Sequence, residues 1–195
     1  VTELEQLARL FPYDSVETLR VKSLVNYLTQ DFSFDQIIRL ERATGMFIQG
    51  KVDRDAYIKS LVLPLERGGV EVDTKEARRM ASVTESLINN ADDIRRYRAR
   101  KDNNSIFFSQ HKLAERISEH LSQKYNIKLN KEQNTNITEL IADRVTGVIE
   151  DDDLNQRLMK GVKSGGLGLS EKEADDITRY FEKVIAQGVD VSYKN

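Results

Sequence analysis

Two stretches of this chain follow one design. Gly68-Gly69-Val70-Glu71-Val72-Asp73-Thr74-Lys75-Glu76-Ala77 and Gly165-Gly166-Leu167-Gly168-Leu169-Ser170-Glu171-Lys172-Glu173-Ala174 each place a double glycine before an apolar crossing and a capped helix start. Glycine ends helices because it enters the left-handed region without a Cβ penalty. Asp73 and Ser170 can accept from the orphan amides of a new helix, while Glu76 and Glu173, three residues on, can reach back. The pattern therefore predicts two helix-to-helix corners, at Gly68, Gly69, Asp73 and Glu76 and at Gly165, Gly166, Ser170 and Glu173.

An offset of 97 residues superposes the corners and keeps the following apolar faces in phase, with Ala174 on Ala77, Ile177 on Met80, Val184 on Leu87 and Ile185 on Ile88. Farther upstream an offset of 102 superposes Arg144-x-Thr146-Gly147 on Arg42-x-Thr44-Gly45, implying a second copy five residues shorter between these blocks. The expected fold is all-α, with two tandem, related helical modules of four to five helices each. They are expected over residues 1–101 and 102–195, joined by a long connecting helix from Asp73 to about Arg100.

Composition agrees with that class. Charged residues make up 32%, prolines number two and glycines ten, too few breakers for a protein of many short strands. With 39% apolar residues over 195 positions the chain can build a real core. Thr2-x-x-Glu5, Asp14-x-x-Glu17 and Ser33-x-x-Gln36 predict helix starts, the third carrying Phe34, Ile37 and Ile38. Asp53 caps a helix bearing Tyr57, Ile58, Leu61 and Val62, and Pro64 disrupts its last turn by removing a backbone donor. In the second half, helices are expected around Leu113–Leu121, Ile137–Val148 and Leu154–Met159, then from Ser170 to Gly188, with the Asn-rich residues 126–136 as a loop.

The residues that would carry chemistry lack their companions. Gly165-Gly166-Leu167-Gly168 at a helix start could cradle an anion, but neither the Lys-Ser/Thr of a P-loop nor a preceding strand accompanies it. Gly50-Lys51-Val52-Asp53-Arg54-Asp55 looks like half of an EF-hand loop, yet the required oxygen ligands are replaced by Gly45, Phe47, Gln49 and Ala56. Glu150-Asp151-Asp152-Asp153 reads as the acidic first turn of a helix, favoured by the dipole. His111 and His120, nine apart, cannot form an i,i+4 metal pair. There is no cysteine and no nucleophile-elbow serine. We therefore expect no catalytic residues, no metal and no cofactor.

The expected function is a non-catalytic interaction or scaffold module that binds a protein partner or self-associates. The alternative is nucleic-acid binding through Arg95, Arg96, Tyr97, Arg98, Arg100 and Lys101, with phosphates neutralised by arginine and a base stacked on Tyr97. The plainer account of that segment is a basic last turn complementing the helix dipole. An enzyme of unknown type is the third reading. Arg42 and Arg144 are expected to tie down a neighbouring helix's carboxylate or C-terminus. A net charge of -2 disfavours a strongly electrostatic partner, and no apolar run approaches the roughly 18 to 20 residues that span a bilayer. A cytoplasmic chain with no membrane partner follows as the default expectation.

Overall fold

The computed structural model describes residues 2–29, 31–99 and 106–188, and every regular element among them is a helix. They divide into two compact units, one running to Asn89 and one beginning at Asn90. The boundary expected at Asp102 lies outside the described residues.

Unit 1 contains α1 (Glu3–Leu10), α2 (Val16–Leu28), α3 (Phe34–Ile48), α4 (Arg54–Val62) and the first part of α5 (Thr74–Ala99). Capping boxes at Thr2/Glu5 and Ser33/Gln36 start α1 and α3, and Asp53 caps α4, as the sequence predicts. For α2 the cap is Ser15, one residue after the expected Asp14, its hydroxyl accepting from the Thr18 amide. The core gathers Val21, Val25 and Leu28 of α2, Leu40 of α3, Tyr57 and Leu61 of α4, and Ala77, Met80 and Ala81 of α5 around Val70 of the corner. Tyr57 stacks on Phe47, with ring centroids 4.6 Å apart, and its hydroxyl meets Thr44 Oγ1 at 2.9 Å. Burial pushes the Tyr57 pKa up, partly offset by hydrogen bonds with Thr44 and Thr84.

Unit 2 contains the remainder of α5 with α6 (Ile106–Lys124), α7 (Lys131–Thr146), α8 (Asp151–Met159) and α9 (Glu171–Gly188). Residues 126–136 are not all loop: Asn130 and Gln133 form a capping box, so α7 begins at Lys131. Asparagine is a poor residue inside a helix but among the best at its cap, and its abundance here concealed the helix start. The last turns of α9, from Phe181 to Gly188, are buried all round. At Gly188 a Cβ would stand 2.9 Å from Ala91 O, so glycine lets this end of α9 approach α5 closely.

Each unit turns its corner the same way. A 3-10 turn, Leu65–Arg67 or Val162–Ser164, ends on a left-handed glycine, Gly68 (φ 86°) or Gly165 (φ 78°). Buried Val70 or Leu167 follows the second glycine, then a second left-handed residue, Glu71 or Gly168. Gln36 Nε2 donates to Val70 O at 2.9 Å, and Gln133 Nε2 to Leu167 O at 2.8 Å. The glutamine that completes each capping box therefore also ties the corner to the second-last long helix before it.

The 97-residue spacing of these ties recurs upstream. Ser33 and Asn130, Gln36 and Gln133, the left-handed Gly50 and Gly147, and the first residues of α4 and α8 are all separated by 97 positions. No five-residue shortening is present, and the 102 offset pairs Gly45, inside α3, with Gly147, which follows α7. The Arg-x-Thr-Gly match is a coincidence of letters. Replacing Gln133 by alanine removes one side of a capping box and the tie to Leu167 O together. We expect a loss of about 1 to 2 kcal/mol, measured as a lowered urea midpoint.

Candidate functional site

The expected corner residues are structural, and each corner glycine has its own job. Gly68 and Gly165 supply positive φ, whereas Gly69 and Gly166 supply space, since a Cβ at either would overlap a backbone carbonyl. Ser170 and Glu173 form the full box: Glu173 N donates to Ser170 Oγ at 3.4 Å, and Ser170 N donates to Glu173 Oε2 at 3.0 Å. Asp73 accepts from the Lys75 and Glu76 amides, but the Glu76 carboxylate turns to Arg79 instead of back to the cap. That contact outweighs the opposing effect of partial burial and holds the Glu76 pKa below the usual carboxylate range.

The basic segment is only partly within the described residues. The Arg95 guanidinium is committed, pairing with Asp92 at 2.7 Å and donating to Gln187 O, while Arg96 is exposed. Tyr97 and Arg98 belong to the last turn of α5, their side chains outside the description, and Arg100 and Lys101 lie outside the described residues.

The two arginines paired by sequence have different fates. Arg144 is buried and bidentate to Glu182 of α9, both contacts 2.8 Å, and also lies 3.4 Å from Ile149 O. It is the helix tie expected from the sequence. Arg42 is exposed and, among the described residues, has no ion-pair or hydrogen-bond partner, so that expectation fails for it. The reason is the register given above: the residue 97 positions before Arg144 is Phe47, which stacks on Tyr57.

His120 sits in a polar cluster of unit 2. Its Nε2 lies 3.0 Å from Tyr180 OH, which also accepts from Asn90 Nδ2 at 3.0 Å, and the Lys124 ammonium stands 4.4 Å above the Tyr180 ring. Burial first, and the Lys124 charge second, hold the His120 pKa below its ordinary value. A depressed folded-state pKa means stability that is present above the unfolded value of about 6.5 and is lost as pH falls through the folded one. Thermal stability of the chain should therefore fall on acidification below that point, and less so in His120→Gln, which cannot titrate. His111 instead pairs with Glu115 at 3.3 Å on the exposed side of α6.

The surface feature that sequence reading missed is on α3. Phe34 (75% exposed), Ile38 (48%) and Met46 (37%) stand on one ridge at i, i+4 and i+12, with Arg42 filling the i+8 position. Beside this ridge runs a groove of 420 Å³ between α2 and α3 with a mixed lining, Val21, Ile38, Gly45 and Met46 beside Ser15, Glu17, Thr18, Glu41, Arg42 and Gln49. Leu10, Phe11 and Tyr13, at the end of α1 and just after it, are exposed as well. Apolar residues of α3 exceed what one inward face holds, since Leu40, Phe47 and Ile48 already pack inward. That surplus was the available signal.

Unit 2 has a groove of 560 Å³ between α6 and α7. Its lining is polar: His111, Glu115, Ser118, Glu119, Lys131, Asn134, Thr135 and Thr138. Lys131, Thr135, Glu139 and Asp143 stand where α3 has Phe34, Ile38, Arg42 and Met46. Among the described residues no group of three or more His, Asp or Glu is placed to hold a metal ion, and no helix is long and apolar enough to cross a membrane. Comparison with family models, curated proteins and solved structures yields no match for the chain.

Proposed function

We propose that this chain is a tandem of two related helical modules, joined through α5, that works as a non-catalytic protein-interaction unit. What supports the duplication is the constant spacing of unlike features: caps, left-handed positions, space-demanding glycines and the two glutamine ties. Two amphipathic helices match by accident because they share a period. A side chain crossing to one particular carbonyl in both copies does not follow from periodicity.

The observation that carries the interaction reading is the exposed apolar ridge of α3, set against the polar residues 97 positions on. At equivalent positions unit 2 is polar, whereas unit 1 keeps Phe34, Ile38 and Met46 in solvent. Scattered exposed apolar residues are ordinary, but three along one helix ridge beside a groove mark a contact surface. The partner is a protein surface whose own apolar ridge is flanked by charges, because Glu17 and Arg42 on the groove walls are exposed and without partners among the described residues.

A photo-crosslinking residue placed at Ile38, and separately at Thr135, tests this in the native cell. Protein adducts are expected from position 38 and not from 135. Equal labelling at both positions, or none at 38, would overturn the reading.

A further inference from the structure

We infer that the occupant of the α2–α3 groove is a second copy of the same surface, so that the chain forms a two-fold dimer through α3. This rests on the interaction reading above and names its partner. A two-fold interface is isologous, so one patch must be complementary to itself: what residue i meets on the partner, the partner's i meets here. The α3 face meets that condition in three ways.

It offers both a ridge, Ile38 and Met46, and a groove beside it, floored by Val21 and Gly45. A ridge of side chains at i, i+4 packs into a groove of the same kind. It also offers both signs of charge on opposite walls of that groove, Glu17 from α2 and Arg42 from α3, each exposed and without a partner among the described residues. Rotation by a two-fold axis brings Arg42 of one copy toward Glu17 of the other, and the reverse. The groove's other carboxylate, Glu41, is already engaged by Lys22 at 3.4 Å, which leaves Glu17 as the acid available to a partner's Arg42. Finally, a net charge of -2 on 195 residues sets up little long-range repulsion between copies.

The test is the charge swap, read by sedimentation velocity and light scattering of the full chain over a concentration series. The wild type is expected to approach twice the monomer mass. Ile38→Glu, Glu17→Arg and Arg42→Glu should each raise the dissociation constant about tenfold or more, the first by burying a charge at the centre and the others by opposing like charges. The double variant Glu17→Arg/Arg42→Glu restores the pairing with the signs exchanged, and should recover dimerisation. All three positions of change are exposed, and unchanged circular dichroism and urea midpoints establish that the variants fold. Thr135→Glu in unit 2 should leave the mass of the complex unaltered.

A wild type that stays monomeric throughout, or single variants that dimerise as well as it does, overturns self-association. So does a double variant that remains as dissociated as the singles. If the chain is monomeric while crosslinks from position 38 lead to a different protein, the dimer is wrong and the interaction reading stands. If position 38 yields nothing, both fall.

Discussion

Gly166→Ala is expected to destabilise unit 2 by about 3 kcal/mol or more, read as a fall in the urea midpoint with little change in slope. A Cβ at this position would lie 2.1 Å from Lys160 O and 2.5 Å from Arg157 O. Both obstacles are backbone, so no rotamer change relieves the overlap. Either the corner opens, breaking the Gly168 N to Lys160 O and Leu169 N to Leu158 O hydrogen bonds, or α8 moves away from it. Gly69→Ala should do the same in unit 1, where the Cβ would lie 1.9 Å from Leu63 O.

The neighbouring glycines provide the comparison. Gly165, at φ 78° with open space around its Cβ position, should cost only about 1 kcal/mol when changed to alanine, for the left-handed backbone. Gly161, at φ -61° and equally open, should be neutral or gain a few tenths of a kcal/mol by restricting the unfolded chain. Equal effects at Gly161 and Gly166 would show that packing at the corner does not matter.

Breaking the Arg144–Glu182 pair is the second large effect. Both side chains are almost fully buried and bonded twice to each other. Removing the cation strands a carboxylate in the interior of the unit, and Arg144→Met should cost about 3 to 5 kcal/mol. Removing both charges is a different experiment. In Arg144→Met/Glu182→Leu no uncompensated charge remains, so a substantial part of the lost stability should return. If the double variant is as unstable as the sum of the singles, the pair is not a coupled unit.

How far the sequence reaches is well illustrated by these same residues. The caps at Thr2, Ser33, Asp53 and Ser170 and the long helix from Thr74 are legible, because caps and helical periods are local devices that use a handful of adjacent residues. The start of α7 was not, since a run of asparagines looks like loop until one knows that Asn130 and Gln133 are bonded to each other. Arg144 was recognised as a helix tie but paired with the wrong residue of unit 1. Three shared letters outweigh a spacing that becomes visible only through Gln36, Gln133 and the left-handed glycines.

The α3 ridge shows the same limit from the other side. The sequence places Phe34, Ile37 and Ile38 together on α3, yet the fold turns Leu40 and Phe47 inward and leaves Phe34, Ile38 and Met46 in solvent. Sequence by itself determined the helical class, most helix ends and the twin corners, for each follows from backbone chemistry within a few residues of the letters that encode it. Only the tertiary structure decided which apolar residues are left over, and which arginine is buried and which is free. Those are properties of side chains brought together from different helices, and the rotation of one helix against another is set by the whole core at once.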